Sequence, residues 1–526
     1  MSEFIANSIG AQMFDQFWVT IFCLIPLVLI SRIVVTGTRY SPILFVVIFG
    51  LIMGYVLVAS GVSTPGLPEF QVMDHISKAT IIALIASFFV GGQELRKTFG
   101  RLHIEHDDLI VHTEHMATIG TNTTHLYFIV RTLLLLLGID SAYRVIVGND
   151  PLSYYPLLAY ICLIGSMIVI EHKVISGNVK HYIRKGIVEM TAILIILIIT
   201  FYVSRWIQPM LALPQIFFAM LITCSLGAIF YKWTLGPTVR ALLFAGMPIV
   251  LAGNFIIGGS RITGAFSDSV MLPVIAFGFF GQLLWMFGGI SLLMVFAKTT
   301  DVRNLAPGLA GGLSHAGLTG ACTAGDLGTL AKIRAPIMIN LPFLAHIFVF
   351  SILAASNKRG SLILVPSVIV FAIGIALTIW ALYSLKTVEI AENDGHKDSK
   401  EVKALMKFAL GWQLTAMFGS FILLSLFGMS FANTAAAATS SLSHFGLFAA
   451  TQGGMFDSEV GVKISEAIPF IFAMPFLVHP FVFYMFGKAM AREGHMPKVP
   501  VFVLASVGIV GVIFAVILQS VIFSAL

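Results

Sequence analysis

Apolar residues fall along this chain in runs about as long as a membrane is thick, separated by short polar stretches. Such runs lie near 17–35, 41–60, 78–92, 125–138, 153–171, 187–204, 213–231, 241–260, 270–297, 336–356, 361–385, 408–432, 465–487 and 499–525. A helix needs about 20 mostly apolar residues to cross a hydrocarbon core roughly 30 Å thick. The pattern predicts about fourteen transmembrane helices and an all-α polytopic membrane protein. Two stretches between runs break the rule, 303–334 and 433–463. The first holds Gly308 to Gly312 and runs on to Gly328, and the second holds Thr434 to Ser441 and ends near Gly453 and Gly454. Neither is apolar enough to face lipid as a helix. Such backbone is tolerated at membrane depth only where protein buries it or where it lines a wet cavity.

The same two stretches carry a repeated motif. Leu313-Ser314-His315-Ala316-Gly317-Leu318 returns as Leu442-Ser443-His444-Phe445-Gly446-Leu447. Gln282 to Gly288 returns as Gln413 to Gly419, and Pro342 to Phe350 returns as Pro475 to Phe483. Three matches in one order at nearly one spacing indicate an internal duplication, which many membrane transporters show. The expected organisation is an N-terminal half, 1–269, then a first unit, 270–385, with a hairpin at 303–334. A linker at 386–404 and a second unit, 405–526, with a hairpin at 433–463, complete it.

Composition agrees with the hydropathy pattern. Of the 526 residues 58% are hydrophobic and 11% charged, against about 25% charged in soluble domains, and the mean hydropathy is +0.96. The net charge of +6 is a matter of topology. Numbering the loops alternately puts most Lys and Arg, among them Arg96, Lys97, Arg101, Lys180, Arg184 and Lys185, on one side. Cationic loops resist translocation, so that side is expected to be cytoplasmic and both termini external. No nucleic-acid surface is expected. Nothing in the first residues resembles a removable signal peptide. Cys23, Cys162, Cys224 and Cys322 lie in or beside apolar runs without paired spacing, which points to packing and away from disulfides or metal ligation. The charged stretch Val388 to Lys403 reads as a solvated loop. Within residues 102–125, the stretch Leu102 to His115 carries four histidines beside four acids. They read either as a metal site or as a solvated helix, and their spacing matches no metal frame.

An odd number of spans, three, separates equivalent positions of the two units, so the second copy is expected to be inverted relative to the first. The expectation is therefore two re-entrant hairpins entering from opposite faces, their tips meeting near the midplane. A half-helix that ends inside the membrane leaves amides at its start, which attract anions, and carbonyls at its end, which attract cations. Ser314, His315, Gly317, Thr319 and Thr323, with Ser443, His444, Gly446 and Thr451, are the expected substrate-binding residues. Asp326 and Asp457, at equivalent places in the two units, are the expected ion-coupling acids, because intramembrane acids commonly carry ions. The alternatives are hydrogen-bonded packing for the histidines, including His346 and His479, and hydration at a loop end for the acids. Arg131 and Glu189 are further ionisable residues within runs, either functional or members of ion pairs.

Gly312 to Thr323 resembles the Gly/His-rich re-entrant loops of the sodium/glutamate symporter family. Gly325-Asp326-Leu327-Gly328-Thr329-Leu330 is similar to the Gly-Asp-x-Ala-Val-Leu stretch of the 2-hydroxycarboxylate (citrate) symporters, and Lys78 to Arg96 to an early core helix of the glutamate symporters. The chain departs from both in placing its hairpins in the C-terminal half and in using Ser-His where they favour Gly-rich pairs. The resemblance implies Na⁺-coupled uptake of an organic anion by a hairpin domain moving past a dimerising scaffold. The expected function is thus Na⁺- or H⁺-coupled symport of a small carboxylate or an amino acid such as glutamate, without an enzymatic activity and with no cofactor beyond the coupling ion. The N-terminal half is the expected scaffold, the state a homodimer, and the location a bacterial inner membrane. A cation/proton antiporter is the alternative. A membrane enzyme or redox subunit using the histidines would need convergent ligands that these spacings do not supply.

Overall fold

The computed structural model describes residues 42–59, 88–93, 179–211, 215–233, 258–267, 271–298, 301–313, 364–390, 397–442, 458–492 and 494–525. It also describes 34, 85, 95–96, 235, 255–256, 318–319, 321–322, 326–328, 330–331, 334–335, 337–338, 345, 349 and 352–353. The expected spans near 125–138 and 153–171, almost all of that near 17–35, Arg131 and the segment 102–125 lie outside the described residues.

The described residues are nearly all helical and include no strand. Ten helices run in order: α1 Pro42–Ala59, α2 Val179–Leu211, α3 Gln215–Ile229, α4 Leu272–Phe296, α5 Val302–Leu313, α6 Leu364–Ile390, α7 Lys397–Leu426, α8 Phe431–Ser440, α9 Ser458–Met490 and α10 Lys498–Ala525. Five of the described helices are long and apolar enough to cross a membrane, by length and composition: Thr191–Gln208 within α2, α4, Leu364–Thr387 in α6, Lys400–Leu426 in α7 and Lys498–Ile522 in α10. The protein is an all-α membrane protein. Local chemistry sets several helix ends. Pro273 stands in the first turn of α4, where a missing N–H costs nothing. The Ser430 hydroxyl caps α8 by accepting from the Asn433 amide at 3.3 Å. Glu459 in the first turn and Lys488 in the last turn of α9 suit the helix dipole.

Residues 386–390 and 397–404, which their charge assigns to a solvated linker, are instead the end of α6 and the beginning of α7. Val402, Ala404 and Leu405 face inward there and are buried. Apolar positions interleaved with Lys400, Lys403 and Lys407 give that stretch a core-facing side, which a charge count alone does not reveal.

Partners are exchanged between the two units. The first long helix of each, α4 and α7, makes its most extensive contact with the last long helix of the other, α10 and α6 respectively. The contacts occur at equivalent places. A methyl group on Gly374 of α6 would stand 2.7 Å from the Thr415 amide of α7, and one on Gly508 of α10 would collide with the backbone at Leu284 of α4. Leu284 and Thr415 hold the same position in the repeated segments that begin at Gln282 and Gln413, and Gly374 and Gly508 are separated by nearly the same length of chain. Only residues without a side chain let helix backbones approach this closely.

In the N-terminal half, α1 crosses the helical residues 255–256 and 258–267 at Gly54 and Gly259, and Gly258 lies against Phe476 of α9. Phe255 and Phe476 meet edge to face at 4.7 Å between ring centroids. Gly92 packs on the backbone of α3 at Cys224, and Gly227 on that of Phe89. The side-chain amide of Gln93 then donates to the Phe230 and Trp233 carbonyls at 3.1 and 2.7 Å, serving the open end of α3.

Candidate functional site

The short helices α5 and α8 set the site. At about 1.5 Å per residue, 12 residues make α5 about 18 Å long and 10 residues make α8 about 15 Å, roughly half of a membrane crossing. Short helices of this composition need protein around them, and both have it: every residue of α5 except Arg303 is buried, as are Ala432 and Thr434 to Ser440 of α8.

The chain after α5 retraces its path. Leu318, Thr319, Ala321 and Cys322 are buried, and the Asp326 amide donates to the Ala321 carbonyl at 3.1 Å. Gly328, with φ +92°, follows, and a Cβ there would lie 3.3 Å from Cγ of Arg303. The backbone has come back to the level at which α5 began, in a left-handed turn that glycine allows. A second inward passage then starts. Arg334 lies against Asn304 near the beginning of α5, and Met338 lies against Gly311 near its end.

Both short helices end beside the same stretch of α4. Ser440 and Ser441, at the end of α8, pack on Gly278 and Gly281, while α5 passes Gly289 with Leu309, four residues before its own end. Along α4, α5 thus lies at Gly289 and the end of α8 at Gly278 and Gly281, on either side of residues 282–288. The arrangement recurs on α7. Gly311 and Gly312 of α5 pack on Ala409 and Trp412, which precede Gln413 by the same steps as Gly278 and Gly281 precede Gln282. The helices α4 and α7 meet between these contacts. The rings of Trp285 and Trp412 lie 5.7 Å apart, the Trp412 indole N–H donates to the Trp285 carbonyl at 2.9 Å, and that of Trp285 to the Ser420 hydroxyl at 3.2 Å.

Of the expected site residues, Thr319 is buried just past the end of α5 and Asp326 is half-buried in the turn before Gly328. Asp326 therefore stands near the level of Arg303, away from the tip. Ser314, His315, Gly317, Thr323, Ser443, His444, Gly446, Thr451 and Asp457 lie outside the described residues. Their flanks, Leu313, Leu318 and Leu442, are fully buried. The carbonyl ends of α5 and α8 lie at equivalent places on α7 and α4, and the fixed dipole at such an end favours a cation. His479 is fully buried among Phe255, Phe476 and Phe483, with ring centroids at 5.6, 5.3 and 5.7 Å. Glu189 is buried in α2.

A polar cluster unexpected from the sequence closes the entrance of the α5 turn. The Arg334 guanidinium, 3% exposed, donates to Oδ1 of Asn304 and, at 2.8 Å, to Oε2 of Glu401. The Asn304 amide completes the ring by donating to Oε1 of Glu401 at 2.7 Å. The cluster ties α5, the passage after it, and the first helix of the second unit. Its signal was an acid, Glu401, next to Val402 and one helical turn from Leu405, within a stretch whose charges resemble a solvated loop. Beside it, the Val302 amide donates to the Gly494 carbonyl at 2.8 Å, joining the start of α5 to the α9–α10 turn. Burial pushes the carboxyl of Asp301 up, but hydrogen bonds from Arg303 and its charge outweigh this and hold it below the usual carboxylate range.

Comparison of the chain with family models, with curated proteins and with solved structures finds no match in any of the three.

Proposed function

We propose that this protein is an ion-coupled secondary transporter, a Na⁺- or H⁺-driven symporter of a small organic anion or amino acid. The observation that carries the reading is that two short buried helices, one from each unit, end on equivalent residues of the opposite unit's first long helix, α8 at Gly278 and Gly281 of α4 and α5 at Ala409 and Trp412 of α7. Helices of half-membrane length whose ends meet are re-entrant hairpins in a bilayer, and they bring backbone dipoles to a depth where lipid supplies none. In this reading about fourteen helices cross the membrane and the two units are inverted. The solute binds between Ser314, His315, Gly317, Thr319, Thr323 and their counterparts Ser443, His444, Gly446 and Thr451. Asp326 and Asp457 couple the ion, residues 1–269 form a dimerising scaffold, and the protein works in a bacterial inner membrane.

Flux in proteoliposomes tests this. Uptake of L-glutamate, citrate, malate or succinate is expected to rise under an inward Na⁺ or H⁺ gradient and to fall in Asp326→Asn. Uptake of all four anions that ignores both gradients overturns the reading.

A further inference from the structure

Gln282 and Gln413 belong to the repeated segments, are fully buried, and have no part in the site as drawn from the hairpins. Their positions correspond. Gln282 lies on α4 next to Gly281, which meets Ser441 at the end of α8. Gln413 lies on α7 next to Trp412, which meets Gly312 at the end of α5. One turn before each stands the next contact, Gly278 with Ser440 in one unit and Ala409 with Gly311 in the other. In a helix, positions four apart share a face, so each glutamine is on the face that receives the opposite unit's short helix. One turn beyond Gln282, Trp285 meets α7 at Trp412 and at Ser420, two turns beyond Gln413. Gln282 thus lies where α4 receives the end of α8 and Gln413 where α7 receives the end of α5, with α4 and α7 touching between them.

Burying a side-chain amide at this depth is unfavourable unless it is hydrogen-bonded, and an apolar residue would pack there at lower cost. We propose that Gln282 and Gln413 are solute-recognition residues, one carboxamide from each unit donating N–H bonds to a carboxylate of the transported anion. This rests on the transport reading above and names who holds the anion. Among the described residues, α4 and α8 carry no lysine or arginine, α5 carries Arg303 near its start, and α7 carries none after Lys407. The carbonyl ends of α5 and α8 favour a cation, which leaves N–H donors as the groups suited to the anion. Neutral donors also serve a carrier that must reorient empty. An arginine there would be an uncompensated buried charge once the solute left, whereas a carboxamide, being both donor and acceptor, can bond to neighbouring backbone.

Gln282→Met and Gln413→Met keep the shape and remove the donors. With ¹⁴C-labelled L-glutamate, citrate, malate and succinate as probes in proteoliposomes, each variant is expected to raise KM for the transported anion about 10- to 100-fold. That is the loss of one hydrogen bond to a charged group. Half-saturation by Na⁺ should stay within about twofold. Gln→Asn at either position should recover part of the loss, since it retains the amide, and it carries the test if a Met variant is not monodisperse after purification. Unchanged KM in folded Met variants of an active protein overturns this inference alone. A matching rise in the Na⁺ half-saturation would make the pair an ion site and also overturns it. Absence of gradient-driven uptake by the wild type overturns the transport reading, and this inference with it.

Discussion

Removing one partner from the Asn304–Arg334–Glu401 cluster should cost unequal amounts depending on which partner is taken. Arg334 is 3% exposed and the Glu401 side chain 19%. Glu401→Gln removes the carboxylate that balances a guanidinium water barely reaches, and breaking a buried pair in this way costs about 3–5 kcal/mol. Arg334→Met leaves a carboxylate that water partly reaches, so the loss should be nearer to about 1–3 kcal/mol, that of an unsatisfied polar group. The double variant Arg334→Met/Glu401→Gln removes both charges and should be more stable than Glu401→Gln alone, with a coupling energy of about 0.5–3 kcal/mol, typical of neighbours in one network. Thermal unfolding of purified protein in detergent, followed by tryptophan fluorescence, ranks the four proteins. A chain of this size need not unfold in two states, so the order of midpoints is the observable. The reasoning fails if Glu401→Gln unfolds with the wild type, or if the double variant is no better than the sum of its parts, since either result means that the three groups do not depend on one another.

Other consequences follow from the same packing. Gly374→Leu and Gly508→Leu place side chains against helix backbone and should each destabilise by about 1–3 kcal/mol or more. Gly264→Ala, where an added methyl meets nothing within 4 Å, should leave the midpoint unchanged or raise it slightly. In a cysteine-free background, Arg303→Cys should react with a membrane-impermeant maleimide only from the cytoplasmic face and Lys463→Cys only from the outside. Labelling of both from one face would mean that the two units are not inverted. The Asp301 carboxyl is held below its unfolded value, so its contribution is present above about pH 4 and is lost as pH falls through the lower folded value. Asp301→Asn should therefore flatten the stability profile at its acid end, by no more than about 1 kcal/mol for so exposed a pair. An acid limb identical in Asp301→Asn and wild type removes that assignment.

Sequence alone established the membrane class, because apolar runs of membrane length recur throughout, and most of the described helices fall on them: α1, α2, α3, α4, α6, α7, α9 and α10. It also marked the two polar stretches in which α5 and α8 lie, since lipid would reject their composition. It showed the segments carrying Gln282 and Gln413 as repeats, yet offered no reason to single out the glutamines themselves. Periodicity and spacing report on neighbours along the chain, and the decisive neighbours here are distant along it. Glu401 looks like one charge in a hydrophilic run until Arg334, from the passage after α5, is set against it. Gly374 and Gly508 look like ordinary glycines of apolar helices until α7 and α4 press on them. Which long helix each unit would take as its partner was a choice among surfaces of similar hydropathy. Tertiary packing made it through shape, where glycine allowed backbones to touch, and so set the ends of α5 and α8 at equivalent places on the opposite unit's long helix.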